Sequence, residues 1–250
     1  MKKTIKNNIL IFDSGIGGLT ILNKCIKEIP NANYIYFADF FSMPYGNKPV
    51  IFLRRNILQV LTPLIQKYNP QIVIIACNTA TAVAINKIRA KFPDIIIIGT
   101  EPAINLAIKN NFKKPLLLAT KNTIKYNRLI KNSKLNPDIN LSTKIMPYLA
   151  KDIEDNIKNL EIPYKNLLHE LQKIEDYDSL ILGCTHYIFL KPLLKNFITV
   201  PIFDGNEGVV NFAKTKIIDT HQKTTLKILT NRLDKKDNLL NAWKILKKEF

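Results

Sequence analysis

An α/β fold with mainly parallel sheets is predicted by two observations on this chain of 250 residues. Short apolar runs alternate with amphipathic stretches along the whole chain, which is typical of βαβ units. An apolar run that closes on a cysteine and continues into hydrogen-bonding residues occurs at Cys77 and again at Cys184. This recurrence favours two sets of βα units over one, and therefore two domains.

Each apolar run is predicted to be a strand because it is short, rich in Ile, Leu or Val, and bounded by polar residues. The predicted strands are 9–12, 34–38, 72–76, 95–98, 115–119, 143–146, 179–183, 200–203 and 226–230. The stretches between them have helical periodicity and are predicted to be helices. They are 17–29, 51–68, 79–91, 102–111, 123–132, 164–175, 187–197, 206–219 and 236–248.

No low-complexity linker separates the two predicted domains. We expect the chain to cross from one to the other near 98–101 and to return near 204–208. The first domain would then comprise residues 1–98 and 208–250, and the second residues 99–207.

The charge of the chain raises the question of a nucleic-acid partner, since the formal net charge is +17. Only five of the 37 basic residues are arginine, the residue suited to bidentate phosphate contacts. The lysines are spread over the whole length, alongside an ordinary globular composition with 46% hydrophobic residues. We therefore expect a solvated lysine coat and no nucleic-acid partner, and a nucleic-acid surface remains the alternative.

The number of cysteines and the length of the apolar runs indicate in which cell compartment the protein is expected. The three cysteines are an odd number, far apart, and they fit a reducing compartment better than a disulfide framework. The start Met1–Thr4 is basic, but the apolar stretch Ile9–Phe12 is too short for a signal peptide. No run is long enough to span a bilayer, and no Cys/His ligand cluster is present. We expect a cytoplasmic protein with no membrane partner and no metal.

Two loops could approach a small ligand. In the first, Asp13-Ser14 is followed by Gly15, Gly17 and Gly18, so the backbone can come close to a ligand before a helix begins. The glycine spacing is not that of a nucleotide-binding motif, and Asp13 would repel phosphate. Asp13 suits orienting a base or holding an ammonium group. The second loop, Pro44-Tyr45-Gly46, can offer backbone N–H groups and a tyrosine hydroxyl. An ordinary turn is the alternative for both loops.

Two motifs place a thiol at the end of a predicted strand: Cys77-Asn78-Thr79 and Cys184-Thr185-His186. Open α/β sheets bind ligands beyond the carboxyl ends of their strands. A helix that begins there is expected to lower the pKa of the thiol from about 8.5, and its free N–H groups can bind a carboxylate. A thiol from each half could take a proton from one face of a carbon and return it to the other. A small buried apolar side chain is the alternative for one cysteine, and it is our expectation for Cys25.

With these motifs the chain resembles the glutamate racemase family, within the aspartate/glutamate racemase superfamily, nearly from end to end. The resemblance is carried by Asp13-Ser14-Gly15 with Gly17-Gly18, Pro44-Tyr45-Gly46, Ala76-Cys77-Asn78-Thr79-Ala80, Glu101-Pro102-Ala103, Ala119-Thr120-Lys121 with Thr123-Ile124, and Leu182-Gly183-Cys184-Thr185-His186-Tyr187. The two cysteine motifs are its most specific part.

The resemblance implies two pseudosymmetric three-layer α/β domains with the active site in the cleft between them. It also implies interconversion of L- and D-glutamate without cofactor or metal, a supply of D-glutamate for peptidoglycan, and a homodimer. By position, Cys77 and Cys184 are the acid/base pair, Asp13 and His186 their helpers, and Glu154 a candidate for a further family acid. The implied substrate contacts are Asp13, Ser14, Tyr45, Gly46, Asn78, Thr79, Thr123, Thr185 and His186.

The chain departs from the family at three positions. Phe41 and Ser42 stand where a small residue and an arginine are common, and Tyr126 stands where serine is usual. An aspartate racemase would use the same thiols, but such relatives more often have Thr-Glu where this chain has Thr185-His186. A non-catalytic binding protein could share the cleft, although it would have no need of two thiols.

Overall fold

The computed structural model describes residues 7–133, 136–217 and 223–249. Its strands are β1 Asn8–Asp13, β2 Asn33–Ala38, β3 Ile72–Ile75, β4 Ile96–Gly99, β5 Pro115–Ala119, β6 Ser142–Ile145, β7 Ser179–Gly183, β8 Ile202–Asp204 and β9 Thr225–Thr230. Its α-helices are α1 Leu19–Glu28, α2 Val50–Tyr68, α3 Asn78–Lys91, α4 Ile104–Lys109, α5 Lys121–Tyr126, α6 Arg128–Ser133, α7 Leu149–Asp155, α8 Glu161–Glu170, α9 Lys191–Leu194, α10 Asn206–Lys214 and α11 Lys236–Glu249. Short 3₁₀ helices cover Ile174–Asp176, Thr185–Leu190 and Leu233–Lys235.

The strands form two sheets, one in each of two domains. The five-stranded sheet has the order β4-β3-β1-β2-β9, and the four-stranded sheet has the order β6-β5-β7-β8. Neighbouring strands are parallel throughout the described residues. Reversing the second order to β8-β7-β5-β6 matches it strand for strand to β4-β3-β1-β2. The two domains therefore repeat one topology, in which β3 corresponds to β7 and β1 to β5.

Burial on both faces explains why the strands are continuous apolar runs rather than alternating ones. In β1, Ile9 and Ile11 pack into one apolar cluster, while Leu10 and Phe12 pack into another on the opposite face. Helices α1, α10 and α11 contribute to the first cluster, and α2 and α3 to the second. The first cluster continues into the second domain, so that the two domains share a core on that side.

The sequence predictions of a two-domain α/β fold and of nine strands are confirmed, with strand bounds that differ by at most two residues. The predicted domain boundaries remain a prediction. None of the described helices has the length and apolar character that a bilayer crossing requires.

Several predicted helices have different bounds in the structure. The stretch 123–132 forms two helices because Asn127 is extended (ψ 125°) and its side-chain oxygen accepts the Ile130 N–H as a cap. The stretch 187–197 begins as the 3₁₀ helix and continues as α9, and 164–175 ends early because Lys173 has a left-handed φ of 68°. The predicted end of the helix 206–219 lies outside the described residues. Helix α7 was not predicted, and it carries Glu154.

Candidate active site

A small cavity lies where the carboxyl ends of the two sheets meet, and both thiols line it. Its volume is about 20 Å³, which is room for about one water molecule. The residues that line it are Ser14, Met43, Pro44, Tyr45, Gly46, Cys77, Thr79, Thr120, Pro147, Ala150, Cys184 and His186. Both cysteines are buried free thiols. Since β3 and β7 are equivalent strands, the repeated topology brings the two thiols to corresponding positions on either side of one cavity.

The Cys77 side of the cavity holds a hydroxyl and a carboxyl. Cys77 is the N-cap of α3, and its sulfur lies 3.8 Å from the Ser14 hydroxyl. Burial raises the pKa of the Cys77 thiol, and the Asp13 carboxyl raises it further, whereas the Ala80 N–H and the Ser14 hydroxyl lower it. The pKa of Cys77 is therefore raised overall, where the sequence predicts that it is lowered. The helix acts in the expected direction, but desolvation outweighs it.

Asp13 lies behind the cavity and connects the two domains. Its carboxylate accepts the Gly15 N–H at 2.9 Å and the Thr185 hydroxyl at 3.1 Å. Burial raises the pKa of Asp13, and His186, Gly15 and Thr185 partly offset this. The carboxyl therefore orients the neighbourhood of both cysteines without lining the cavity itself.

The Cys184 side of the cavity holds an imidazole and a second carboxyl. The Nδ1 atom of His186 lies 3.9 Å from the sulfur of Cys184, and its Nε2 atom lies 2.8 Å from a carboxylate oxygen of Glu154. That oxygen also accepts the Ile16 N–H at 3.1 Å. Burial alone lowers the pKa of His186, but the hydrogen bonds to Cys184 and Glu154 outweigh it and hold the pKa well above its usual value. The ring beside Cys184 is therefore held in its cationic form by these partners.

Two glycines allow the first domain to approach this ring closely. A Cβ atom on Gly17 would lie 2.7 Å from Nδ1 of His186, and one on Gly15 would lie 3.0 Å from its Nε2 atom. The glycines in the loop after β1 are therefore required for domain contact, in addition to any approach to a ligand.

Three threonine hydroxyls form a cluster beside Cys77. The hydroxyl of Thr79 lies 2.8 Å from that of Thr120 and 3.2 Å from that of Thr123, and the last two are 2.9 Å apart. Thr120 was not among the predicted contacts, although it lines the cavity. It directly follows β5, the equivalent of β1, so the carboxyl-end rule applied to that strand would have found it.

The structure gathers most of the predicted contacts at the cavity and places the others just behind it. Asp13, Asn78, Thr123 and Thr185 do not line the cavity: Asn78, for instance, donates to the Thr100 carbonyl at 3.3 Å. Tyr45 lines the cavity, and its hydroxyl donates to Asp39. The substrate contacts themselves remain predictions.

Elsewhere in residues 7–133, 136–217 and 223–249, no second cavity is lined by two cysteines. Cys25 is fully buried in the core, as expected. A larger cavity, of about 810 Å³, is lined by residues such as Arg89, Glu101 and Phe212 and contains neither site cysteine. We still assign the active site to the small cavity, because it holds both thiols. Volume alone does not identify an active site, since the volume of a cleft changes as the cleft opens and closes. Among the described residues, no three His, Cys, Asp or Glu side chains are grouped as metal ligands.

Comparison with curated proteins decides the family. The chain is 35% identical over 222 residues to the glutamate racemase of Clostridium acetobutylicum, with 86% of each chain covered. It is 36% identical to that of Clostridium novyi, covering 96% of this chain and 97% of the relative. The chain belongs to the glutamate racemase family. It is therefore an isomerase, and the resemblance found in the sequence is confirmed.

Solved structures of this family have the same fold. A glutamate racemase from Bacillus anthracis superposes with a TM-score of 0.83 at 25% identity, over 95% of this chain and 94% of that one. The enzyme of Francisella tularensis, solved with D-glutamate, gives 0.80 at 25% identity, over 97% and 94%. The aspartate racemase of Picrophilus torridus, at 16% identity over 85% of this chain and 94% of that one, gives 0.58 and shares the fold alone. A search of protein-family models finds no match.

Proposed function

We propose that the protein interconverts L-glutamate and D-glutamate without a cofactor, with Cys77 and Cys184 as the two acid/base groups. The observation that supports this most is that both thiols line one cavity from equivalent strands of two domains. A carbon held between them would present one face to each sulfur, as proton removal from one face and return to the other requires.

The groups around the two sulfurs suggest which sulfur acts as the acid and which as the base when the reaction starts. The raised pKa of Cys77 keeps this sulfur a thiol, and we assign the role of the starting base to Cys184, which has the imidazole of His186 beside it. In one direction the Cys184 thiolate takes the α-proton and becomes a thiol, while Cys77 gives its proton to the opposite face and becomes a thiolate. The reverse reaction starts from the exchanged state, so the two sulfurs titrate as a coupled pair.

The α-proton of an amino acid is weakly acidic, so most of the rate must come from positioning and charge stabilisation in a dry cleft. The buried hydroxyls of Ser14, Thr79 and Thr120 lie at the cavity and are suited to hold a carboxylate. The first-turn N–H groups of α3 point toward the same region and add to that field.

Deuterium incorporation at the α-carbon in heavy water tests the two-base mechanism. With enzyme dialysed against a chelator and no pyridoxal phosphate added, we expect the product enantiomer to carry solvent deuterium from the first turnovers. The remaining substrate should keep its proton, because the sulfur that removes it is not the one that delivers. Early deuterium in both enantiomers would indicate a single base and would contradict the proposal.

The substrate is tested by offering glutamate and aspartate separately and following each by chiral chromatography. We expect turnover of glutamate and little of aspartate, in line with His186 after Thr185 and with the relatives above. Racemisation of aspartate alone would make the protein an aspartate racemase. Unchanged chirality of both would favour a binding protein.

We also propose that the protein works in the cytoplasm as a homodimer and supplies D-glutamate for peptidoglycan. Depletion in its host should then be rescued by external D-glutamate, and light scattering of the purified protein should give twice the mass of the chain. Tight, salt-dependent binding to DNA or RNA would contradict the expectation of no nucleic-acid partner.

A further inference from the structure

The cavity between the thiols is closed in this structure. Its volume of about 20 Å³ accommodates about one water molecule, and an amino acid such as glutamate is several times larger. Both cysteines are more than nine-tenths buried, at 6% and 8% exposure. A ligand can therefore reach the sulfurs only if a part of the cavity wall moves.

Part of one wall is formed by Tyr45 and Gly46. They begin the segment Tyr45–Lys48, which belongs to the first domain but is bound to the second mainly through one residue, Asn122. The side-chain amide of Asn122 donates to the carbonyl of Tyr45 at 3.0 Å and to that of Lys48 at 2.9 Å. The backbone N–H of Asn122 donates to the carbonyl of Gly46 at 3.0 Å. Asn122 is buried at 6% exposure, so its bond to Tyr45 is shielded from water, while its bond to Lys48 is partly shielded.

A fourth hydrogen bond joins the same segment to the second domain. The side chain of Asn47 donates to the carbonyl of Pro147 at 3.2 Å, but this bond is exposed to solvent. Water can replace an exposed bond at little cost, whereas the buried bonds of Asn122 lose more when they open. Asn122 is therefore the stronger attachment.

The other attachment of the segment is to its own domain. Tyr45 donates to the buried Asp39, which also accepts the side-chain amides of Asn56 at 2.7 Å and Asn231 at 2.6 Å. Asn231 in turn accepts the Phe41 N–H at 3.1 Å. The side chain of Tyr45 thus belongs to the first domain, while the backbone beside it is bound to the second. Separation of the domains must break one of the two attachments.

We propose that Asn122 is a positioning residue that holds the Tyr45–Lys48 segment closed over the thiols, and that release of its bonds admits the substrate. Tyr45 has a buried hydrogen bond to its own domain, so the segment stays with that domain when the cleft opens. The inference rests on the proposed function only in naming glutamate as the molecule admitted.

Alkylation of the three cysteines by iodoacetamide, followed by mass spectrometry of the peptides, tests this without any substrate. Asn122→Ala removes the two side-chain bonds, and we expect Cys77 and Cys184 to react roughly 10- to 30-fold faster, as the loss of two buried hydrogen bonds implies. Cys25 is fully buried in the core and reacts only on unfolding, so its rate should not change.

Asn110→Ala is the matched control, because Asn110 is an exposed asparagine of the second domain whose amide donates to the Leu106 carbonyl at 2.7 Å. It should leave all three rates unchanged. Unchanged rates at Cys77 and Cys184 in Asn122→Ala would overturn the proposal. Equal acceleration of Cys25 would also overturn it, since it would show general destabilisation. A protein that fails to racemise glutamate but shows the selective acceleration would refute the proposed function and leave the role of Asn122 standing.

Discussion

The two halves of the site are alike in topology and differ in the ionisable groups beside each thiol. Cys77 and Cys184 follow equivalent strands, and each begins a helical segment. Beside Cys77 lie the hydroxyl of Ser14 and the carboxyl of Asp13, while beside Cys184 lies the ring of His186. A duplicated backbone can thus surround two identical side chains with different ionisable groups, because the neighbours come from segments outside the repeated strands.

Of the changes to the two halves, removal of either thiol should have the largest effect on the rate of racemisation. We expect Cys77→Ala and Cys184→Ala each to lower the rate of racemisation by about 10²- to 10⁴-fold, the usual contribution of a general acid or base. Cys25→Ala removes a thiol from the core and should keep its activity. A single variant that keeps near-normal turnover in both directions would end the two-base assignment.

Breaking the ion pair between His186 and Glu154 should lower the free energy of unfolding. The pKa of folded His186 lies above its unfolded value of about 6.5, so its stabilising contribution is complete below about pH 6.5 and is lost as the pH rises through the folded pKa. Glu154→Gln leaves a buried charge without its partner and should cost about 3–5 kcal/mol near pH 6, with a smaller cost at alkaline pH.

Denaturant unfolding of wild type and variant at about pH 6 and about pH 9 measures this cost. Glu28→Gln is the control, because the Lys24–Glu28 pair is partly exposed and should contribute less than about 1 kcal/mol at either pH. A Glu154→Gln penalty of the same size at both pH values would contradict the charged state of His186.

His186→Gln should lower the reactivity of Cys184 and leave that of Cys77 nearly unchanged. The raised pKa of His186 keeps a positive charge 3.9 Å from the Cys184 sulfur, and a neutral amide in its place removes that charge. Since a thiolate is the reactive form of a cysteine, we expect alkylation of Cys184 at neutral pH to slow by roughly 10-fold. Cys77 should change much less, since its neighbours are Ser14 and Asp13. Equal slowing at both sulfurs would show that the two halves share one electrostatic environment.

Asp13→Asn should have the smallest effect, and in the opposite direction. The Asp13 carboxyl raises the pKa of Cys77, so a neutral amide should lower that pKa and speed alkylation of this sulfur by a few fold. Desolvation is the larger cause and remains, which keeps the effect small. Slower alkylation of Cys77 would indicate that Asp13 supports its thiolate instead.

Local pattern was sufficient for the strands and marked both cysteines that the structure brings to one cavity. The run Ile72–Ile75 is apolar at every position because β3 is buried on both faces, and a cysteine followed by Asn78 and Thr79 marks its end. Helix α7 was missed because its seven residues are too few for a clear helical period. The pKa of Cys77 was predicted in the wrong direction, because burial depends on segments that are remote in sequence.

The amino-acid sequence by itself determined the alternation of strands and helices, the duplicated cysteine motif and the family to which the motif belongs. These follow from apolar periodicity and from residue order, which are local properties. Three contacts came from tertiary packing alone: Glu154 with His186, Thr120 within the hydroxyl cluster, and Asn122 with the Tyr45 carbonyl. Such contacts join segments distant in the chain, and their distances depend on how the two domains pack together.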